Sequence, residues 1–223
     1  MKIVALVPIK MNNQRTPGKN TKRFDDGTPL IQCILRTLLS CTAIDEVYVY
    51  CSKEKIQEYL LPGTYYLKRN PKYDTAEADV LEMVRDFALQ VEADIYIWAH
   101  ATAPFISLTN LNTGINALKS GEFDSAVAVQ KLQSFLWKDG QPANYSLDNI
   151  PRTQDLTPLF VETCGLYIFQ KDLIINEKRR IGKKPFMLEV SEIEATDIDL
   201  PEDFEIANAI YQNIVKKREF NDA

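Results

Sequence analysis

Short apolar runs of strand length alternate along this chain with longer stretches of helical periodicity, and few folds accommodate that alternation. The runs are Ile3–Val7, residues 46–52 (EVYVYCS), 64–69 (TYYLKR), 94–105 (DIYIWAHATAPF), 123–130 (FDSAVAVQ), 158–169 (PLFVETCGLYIF) and 186–190 (FMLEV). Between them Leu30, Ile31, Ile34, Leu35, Leu38 and Leu39 recur at helical spacing through Cys41, with Pro29 suited to a first turn. Residues 77–92 predict an amphipathic helix, 108–119 another, and Pro201 opens a last one carrying Phe204, Ala207, Ile210, Tyr211 and Ile214 on one side. Ser52 is suited to cap a short helix after the second strand. The expected fold class is α/β: a doubly wound, mainly parallel sheet covered by helices on both faces.

The alternation lapses between 131 and 170. Phe135, Leu136 and Trp137 lead into Asp139-Gly140 and then Pro142-Ala143-Asn144-Tyr145, which predicts a hairpin. With no repeat, low-complexity tract or linker, residues 1–223 read as one domain with a β excursion at 131–170, a lid or a dimer surface.

Directly after the first strand, which Pro8 is expected to end, comes a polar segment with Lys10, Arg15, Lys19, Lys22 and Arg23 and no acid before Asp25. Pro17-Gly18 sets a turn among them. Ligands of open α/β sheets bind at the carboxyl ends of strands, so this loop is placed to wrap a polyphosphate; a solvated basic loop is the bland alternative. Twenty-six Lys and Arg against 31 Asp and Glu leave a net charge of −5, which argues for a small anionic ligand and against nucleic acid as partner. Four cysteines (Cys33, Cys41, Cys51, Cys164) lack metal-site spacing and read as buried free thiols; with His100 the only histidine, a zinc site is not expected. The start of the chain lacks the pattern of a signal peptide, and no apolar run reaches the roughly 20 residues of a membrane span, so a cytoplasmic protein without a membrane partner is expected.

Asp197 and Asp199 stand two apart in an extended segment and therefore share a side, an oxygen pair suited to a hard cation such as Mg²⁺. The rival reading, an acidic helix start, is accepted for Glu202 and Asp203. His100 ends a strand in Trp98-Ala99-His100-Ala101-Thr102, and a lone histidine is more often structural. Arg179-Arg180 with Lys183-Lys184 is expected to be a solvated basic turn.

The order Pro8, Lys10, Arg15, Pro17, Gly18, Lys19, Asn20 resembles the opening motif of the sugar-acid cytidylyltransferases: the acylneuraminate cytidylyltransferases, or CMP-sialic acid synthetases, and the related enzymes that make CMP-KDO. Lys10 stands where these families commonly carry Arg, and their glycine-rich form of the loop is absent. Further matches follow in the family's order: Arg69 in an R-x-P segment, Thr102 and Pro104, Arg152-Thr153-Gln154-Asp155, then Glu162 with Tyr167 and Ile168, and finally DIDLPEDFEIA around Asp197 and Asp199.

The resemblance implies cytidylyl transfer from CTP to a 2-keto sugar acid, for cell-surface polysaccharide, by a homodimer built through the 131–170 excursion. It implies catalytic roles for Lys10, Arg15 and Lys19 on the triphosphate, base contacts from Asn20 and Arg69, and a sugar side formed by His100, Thr102, Arg152 and Gln154. Mg²⁺ would sit on Asp197 and Asp199. Asp74 and Asp79 both stand open as the acid that follows Arg69. The alternatives are a nucleotidyltransferase using another nucleotide or sugar, and a nucleotide-binding homologue without turnover.

Overall fold

A computed structural model describes residues 1–13 and 15–217. Seven strands form one sheet: β1 (Ile3–Ile9), β2 (Glu46–Cys51), β3 (Thr64–Lys68), β4 (Ile95–Ala99), β5 (Ser125–Leu132), β8 (Leu159–Gln170) and β9 (Pro185–Glu189). A two-stranded ribbon, β6 (Trp137–Lys138) and β7 (Gln141–Pro142), stands apart from it. The order across the sheet is β3-β2-β1-β4-β8-β5-β9, and only β8 runs against the rest. The helices are α1 (Leu30–Ser40), α2 (Val80–Gln90), α3 (Leu108–Lys119), α4 (Lys171–Ile175) and α5 (Pro201–Ile210), the last continued by a π-helical turn at Tyr211–Val215. A mainly parallel sheet covered by helices on both faces is thus the observed fold.

The inner strands are buried on both sides, which is why they read as continuous apolar runs rather than alternating ones. Side chains pointing to one face (Ala5, Val7, Val49, Ile97, Ile168) meet Ile34, Leu35 and Leu38 of α1 and Leu111 and Ile115 of α3. Those on the other (Leu6, Tyr50, Tyr96, Trp98, Tyr167, Phe169) meet Met83, Val84 and Phe87 of α2 and Leu173 and Ile174 of α4. A third, aromatic cluster of Phe24, Phe105, Phe204 and Tyr211 binds the basic loop to α5.

Several local expectations shift. Strand β1 runs through Pro8 to Ile9, because its ladder to β4 has already ended at Leu6 and the missing amide costs little there. Helix α2 begins only at Val80, capped by the Asp79 carboxylate on the amides of Leu81 and Glu82. Ser52 caps nothing: the turn at Glu54–Tyr59 has no side-chain cap, and the Ser52 hydroxyl donates to Asp74 instead. Strand β8 is one long strand with a wide excursion in it. Opposite Ala128 alone, between the pairs Val127–Tyr167 and Val129–Glu162, it spends Thr163, Cys164, Gly165 and Leu166. Cys164 adopts φ 56° there and is exposed, unlike the other three cysteines. A Cβ on Gly165 would lie 2.6 Å from that of Ala103, so glycine lets β8 press against the turn after β4.

Beyond the sheet, the end of β5 and the start of β8 continue as a paired arm that carries the ribbon. The ribbon turns at Asp139 (φ 51°) and Gly140 (φ 76°), two left-handed residues in succession as a type I′ hairpin requires. Among the described residues no helix is long and apolar enough to cross a membrane.

Candidate active site

The carboxyl ends of β1, β2, β3, β4, β5 and β9 lie on one edge of the sheet, and the residues singled out by sequence collect along it. The loop after β1 is held in shape by its own backbone. Gly18 takes φ 69°, the amide of Thr21 donates to its carbonyl at 3.0 Å, and the single turn Lys19–Thr21 follows. The buried Asn20 donates its side-chain amide to the carbonyl of Lys10 at 3.0 Å, bracing the loop's first residue against its last turn.

Three of the five cations, Lys10, Arg15 and Lys19, line a cavity of about 230 Å³ together with Asn12, Asn13 and Thr16. The other two are committed elsewhere. Lys22 lies 3.8 Å from the ring centroid of Phe204 and pairs with Glu205, and Arg23 donates to the carbonyl of Gly27 at 2.6 Å. They tie the loop to α5 and to its own return.

The segment after β9 comes back to this cavity. Arg15 bonds one carboxylate oxygen of Asp199 at 2.8 Å; Lys19 bonds the other at 3.0 Å and the carbonyl of Ile198 at 2.7 Å. The Thr16 hydroxyl donates to the Asp199 carbonyl at 2.9 Å. Behind Asp199, the carboxylate of Asp203 accepts from the amides of Asp199 and Leu200, so the first turn of α5 fixes the segment's end. Its beginning is fixed by the buried carboxylate of Glu194, which accepts from the Ser107 amide, the Asn110 side chain and Ser191.

Asp197 keeps an exposed surface, yet the protein packed around its carboxyl pushes its pKa up; a hydrogen bond with Thr102 and the Lys19 charge pull it down, and the Asp199 charge pushes it up again. Packing around Asp197 and the charge of the neighbouring Asp199 both disfavour its ionised form, and a divalent cation placed there would offset that. Mg²⁺ typically takes one or two carboxylates and completes its shell with phosphate and water, so Asp197 and Asp199 fit it as donors. No cluster of three or more metal-ligating side chains occurs among the described residues.

His100 sits at the end of β4, stacked on Trp98 (ring centroids 5.1 Å apart, planes at 24°) and edge-on to Tyr167. Burial pushes its pKa down to about 4, helped by the charges of Arg180 and Lys19, so the imidazole is neutral at physiological pH. Arg180 is not a solvated surface residue. Its guanidinium lies 4.0 Å from the Tyr167 ring centroid and pairs with Glu162 at 3.3 Å. Only the other cations of that turn remain at the surface, and Arg180 is the site-edge residue that sequence reasoning missed.

The remaining assigned residues stand apart from this junction. Arg69, at the end of β3, is 2% exposed and paired with Asp74 at 2.6 Å, while Asp79 pairs with Lys178 at 2.7 Å. Asp74 also accepts from Ser52, so the three close a polar corner at the ends of β2 and β3. Arg152 and Gln154 lie on the exposed arm. Arg152 forms a two-pronged pair with Asp155, and the Gln154 carbonyl accepts from Gln133.

Comparison with known proteins follows the same lines. The profile of the family described as Cytidylyltransferase matches residues 4–219. N-acylneuraminate cytidylyltransferase A of Danio rerio is 26% identical over 215 residues, 92% of this chain and 50% of that protein, so the chain spans about half the length of this relative. The 3-deoxy-manno-octulosonate cytidylyltransferase of Christiangramia forsetii is 23% identical, with 94% of this chain and 96% of that protein covered. The fold is similar to that of CMP:2-keto-3-deoxy-manno-octonic acid synthetase complexed with CTP, at a TM-score of 0.71, 16% identity and coverage of 95% of this chain and 99% of that one.

Proposed function

The chain belongs to the cytidylyltransferase family, and from that premise we propose that it transfers the cytidylyl group of CTP to a hydroxyl of a 2-keto sugar acid, releasing pyrophosphate. The observation that carries this reading is the junction of Arg15, Lys19 and Asp199 at the cationic cavity. A loop suited to a triphosphate and a carboxylate segment suited to a metal, 184 residues apart in sequence, are hydrogen-bonded to each other at the carboxyl edge of the sheet.

In this reading Lys10, Arg15 and Lys19 hold the triphosphate and offset the charge that grows on the leaving pyrophosphate. Asp197 and Asp199 would hold Mg²⁺, which when bound neutralises phosphate charge and lowers the pKa of a coordinated hydroxyl. Arg69, fixed by Asp74, and the braced Asn20 are assigned to the nucleotide side and His100 and Thr102 to the acceptor side, with Arg152 and Gln154 of the exposed arm assigned to the acceptor as well. The arm itself is proposed as a dimer interface, because Trp137, Leu147, Ile150, Phe160 and Val161 are all exposed on it. The product would serve cell-surface polysaccharide synthesis.

The test is pyrophosphate release from CTP, Mg²⁺ and a panel of 2-keto sugar acids, including N-acetylneuraminate and 3-deoxy-manno-octulosonate, with GTP, UTP and ATP as controls. Release that requires CTP and one acid together is expected. Release with another nucleotide in place of CTP, or no stabilisation of the fold by CTP, would overturn the reading.

A further inference from the structure

Beside the phosphate-side residues, β4 and β8 present an aromatic shelf whose groups remain only loosely satisfied. Arg180, arriving from the turn after α4, lays its guanidinium carbon 4.0 Å from the ring centroid of Tyr167 and 5.4 Å from that of Trp98. Among the described residues its one hydrogen bond is to Oε2 of Glu162 at 3.3 Å, the same oxygen that accepts the Tyr167 hydroxyl at 2.8 Å. Two buried nitrogens of the same shelf, Nε1 of Trp98 and Nε2 of His100, have no hydrogen-bond partner among the described residues. Trp98 is 2% exposed, so its N–H cannot turn to solvent. Two residues past His100 the Thr102 carbonyl accepts the Ile198 amide at 2.9 Å, and the Ile198 carbonyl accepts from Lys19 at 2.7 Å, so the shelf adjoins the cationic cavity.

We propose that Arg180 is the anchor for the carboxylate of the acceptor, and that Glu162 is a built-in carboxylate that occupies Arg180 until the acceptor displaces it. The inference rests on the reading of the acceptor as a 2-keto acid. Three features support it. A guanidinium offers five N–H donors in a fork that matches a carboxylate with two parallel bonds, and here only one donor is used, at long distance. The aromatic faces of Tyr167 and Trp98 hold the plane of that fork, so its order precedes the ligand. The pair with Glu162 is part-exposed on both sides (29% and 44%), the kind of ion pair that exchanges readily.

The excursion in β8 makes the arrangement possible. By spending four residues opposite Ala128 it folds Glu162 back beside Tyr167, five positions on, and thereby under Arg180. A regular strand would carry Glu162 past the shelf.

The experiment titrates the full chain with pyruvate, the smallest acid with the 2-keto carboxylate, at constant ionic strength, reading Trp98 fluorescence in a Trp137→Phe background. Glu162→Gln is expected to tighten pyruvate binding about three- to tenfold by freeing Arg180. Arg180→Gln is expected to weaken it at least tenfold, and Arg180→Lys, which keeps charge without the fork, to fall between. The CTP-induced rise in melting temperature should be the same in all four proteins, which also shows that each is folded. Equal pyruvate affinity in the parent and Arg180→Gln, or weaker binding in Glu162→Gln, would overturn the anchor while a retained CTP shift left the cytidylyl-transfer reading standing. Absence of the CTP shift in the parent would sink that reading instead, and the pyruvate series would still decide the anchor.

Discussion

Lys19 and Asp199 meet at 3.0 Å, with the second carboxylate oxygen of Asp199 taken by Arg15, so the loop after β1 and the segment after β9 hold each other in register. The Arg15 contact is open to solvent, with side chains 67% and 40% exposed, whereas Lys19 is 12% exposed and approaches Asp199 from the protein side. The exposed Arg15 pair contributes little to stability, so its part is to hold the loop after β1 and the segment after β9 in one arrangement.

Asp199→Asn should therefore lower turnover on the order of a hundredfold or more, as removal of a charge that acts on the transition state does. The melting temperature should fall by no more than a degree or two, since the amide retains bonds to Arg15 and Thr16 has its own bond to the backbone. Turnover and melting temperature measured on the same preparation check this. Near-parental turnover would remove Asp199 from the site.

How much of this was legible beforehand follows from the physics of each contact. Strands buried on both faces announce themselves as apolar runs, and α3 occupies the predicted residues because Ser107 caps it and Ser120 ends it. The cationic loop was legible as a cluster, but not its division of labour. Lys22 and Arg23 differ from Lys10 only through partners, Phe204 and the Gly27 carbonyl, that tertiary packing brings to them. Arg180 and Glu162 were illegible for a similar reason. Their meeting depends on an irregularity in β8 that no two-residue period encodes, and the one local signal was Glu162-Thr163-Cys164-Gly165 standing between two apolar stretches. Cys164 itself was misplaced because an apolar neighbourhood in sequence predicts burial, and the left-handed turn at that residue carries it outward.

His100 gives the chain a specific pH response. Its pKa falls from about 6.5 to about 4 on folding, through burial and then through Arg180 and Lys19. A depressed folded pKa means the unfolded chain binds the extra proton between those values, so this contribution to stability is fully present above about pH 6.5 and is lost as pH falls toward 4. The full difference is on the order of 3 kcal/mol. Urea midpoints measured from pH 7.5 to 4.5 should fall more steeply in the parent than in His100→Gln. Parallel curves would contradict the buried neutral imidazole.

Arg69 and Asp74 present the opposite case to Arg15 and Asp199. At 3% and 13% side-chain exposure their pair is buried, and removing one member strands the other. Arg69→Met should cost about 3 kcal/mol and Asp74→Leu a similar amount, while the double substitution should recover much of the loss. A double-mutant cycle by urea denaturation measures the coupling. If Arg69 also faces the nucleotide, the double variant will be stable yet show a weakened CTP-induced melting shift. A stable double variant with the full shift would confine Arg69 to a structural role.

The arm supplies the last test. Trp137 is 58% exposed, Ile150 62%, Leu147 59%, and Leu159, Phe160 and Val161 each lie near half exposure, all on one projection from the sheet. Isolated exposed apolar residues need no explanation, but this many on one thin element, which has little core of its own, calls for a covering surface. A second copy of the chain would cover it through a two-fold contact in which each arm packs on its counterpart. Phe160→Asp placed in that contact should convert a dimer to a monomer in sedimentation equilibrium. Because Phe160 points away from the core, the melting temperature extrapolated to low protein concentration should not change. A parent that is monomeric at micromolar concentration would leave the arm without its partner and refute the dimer.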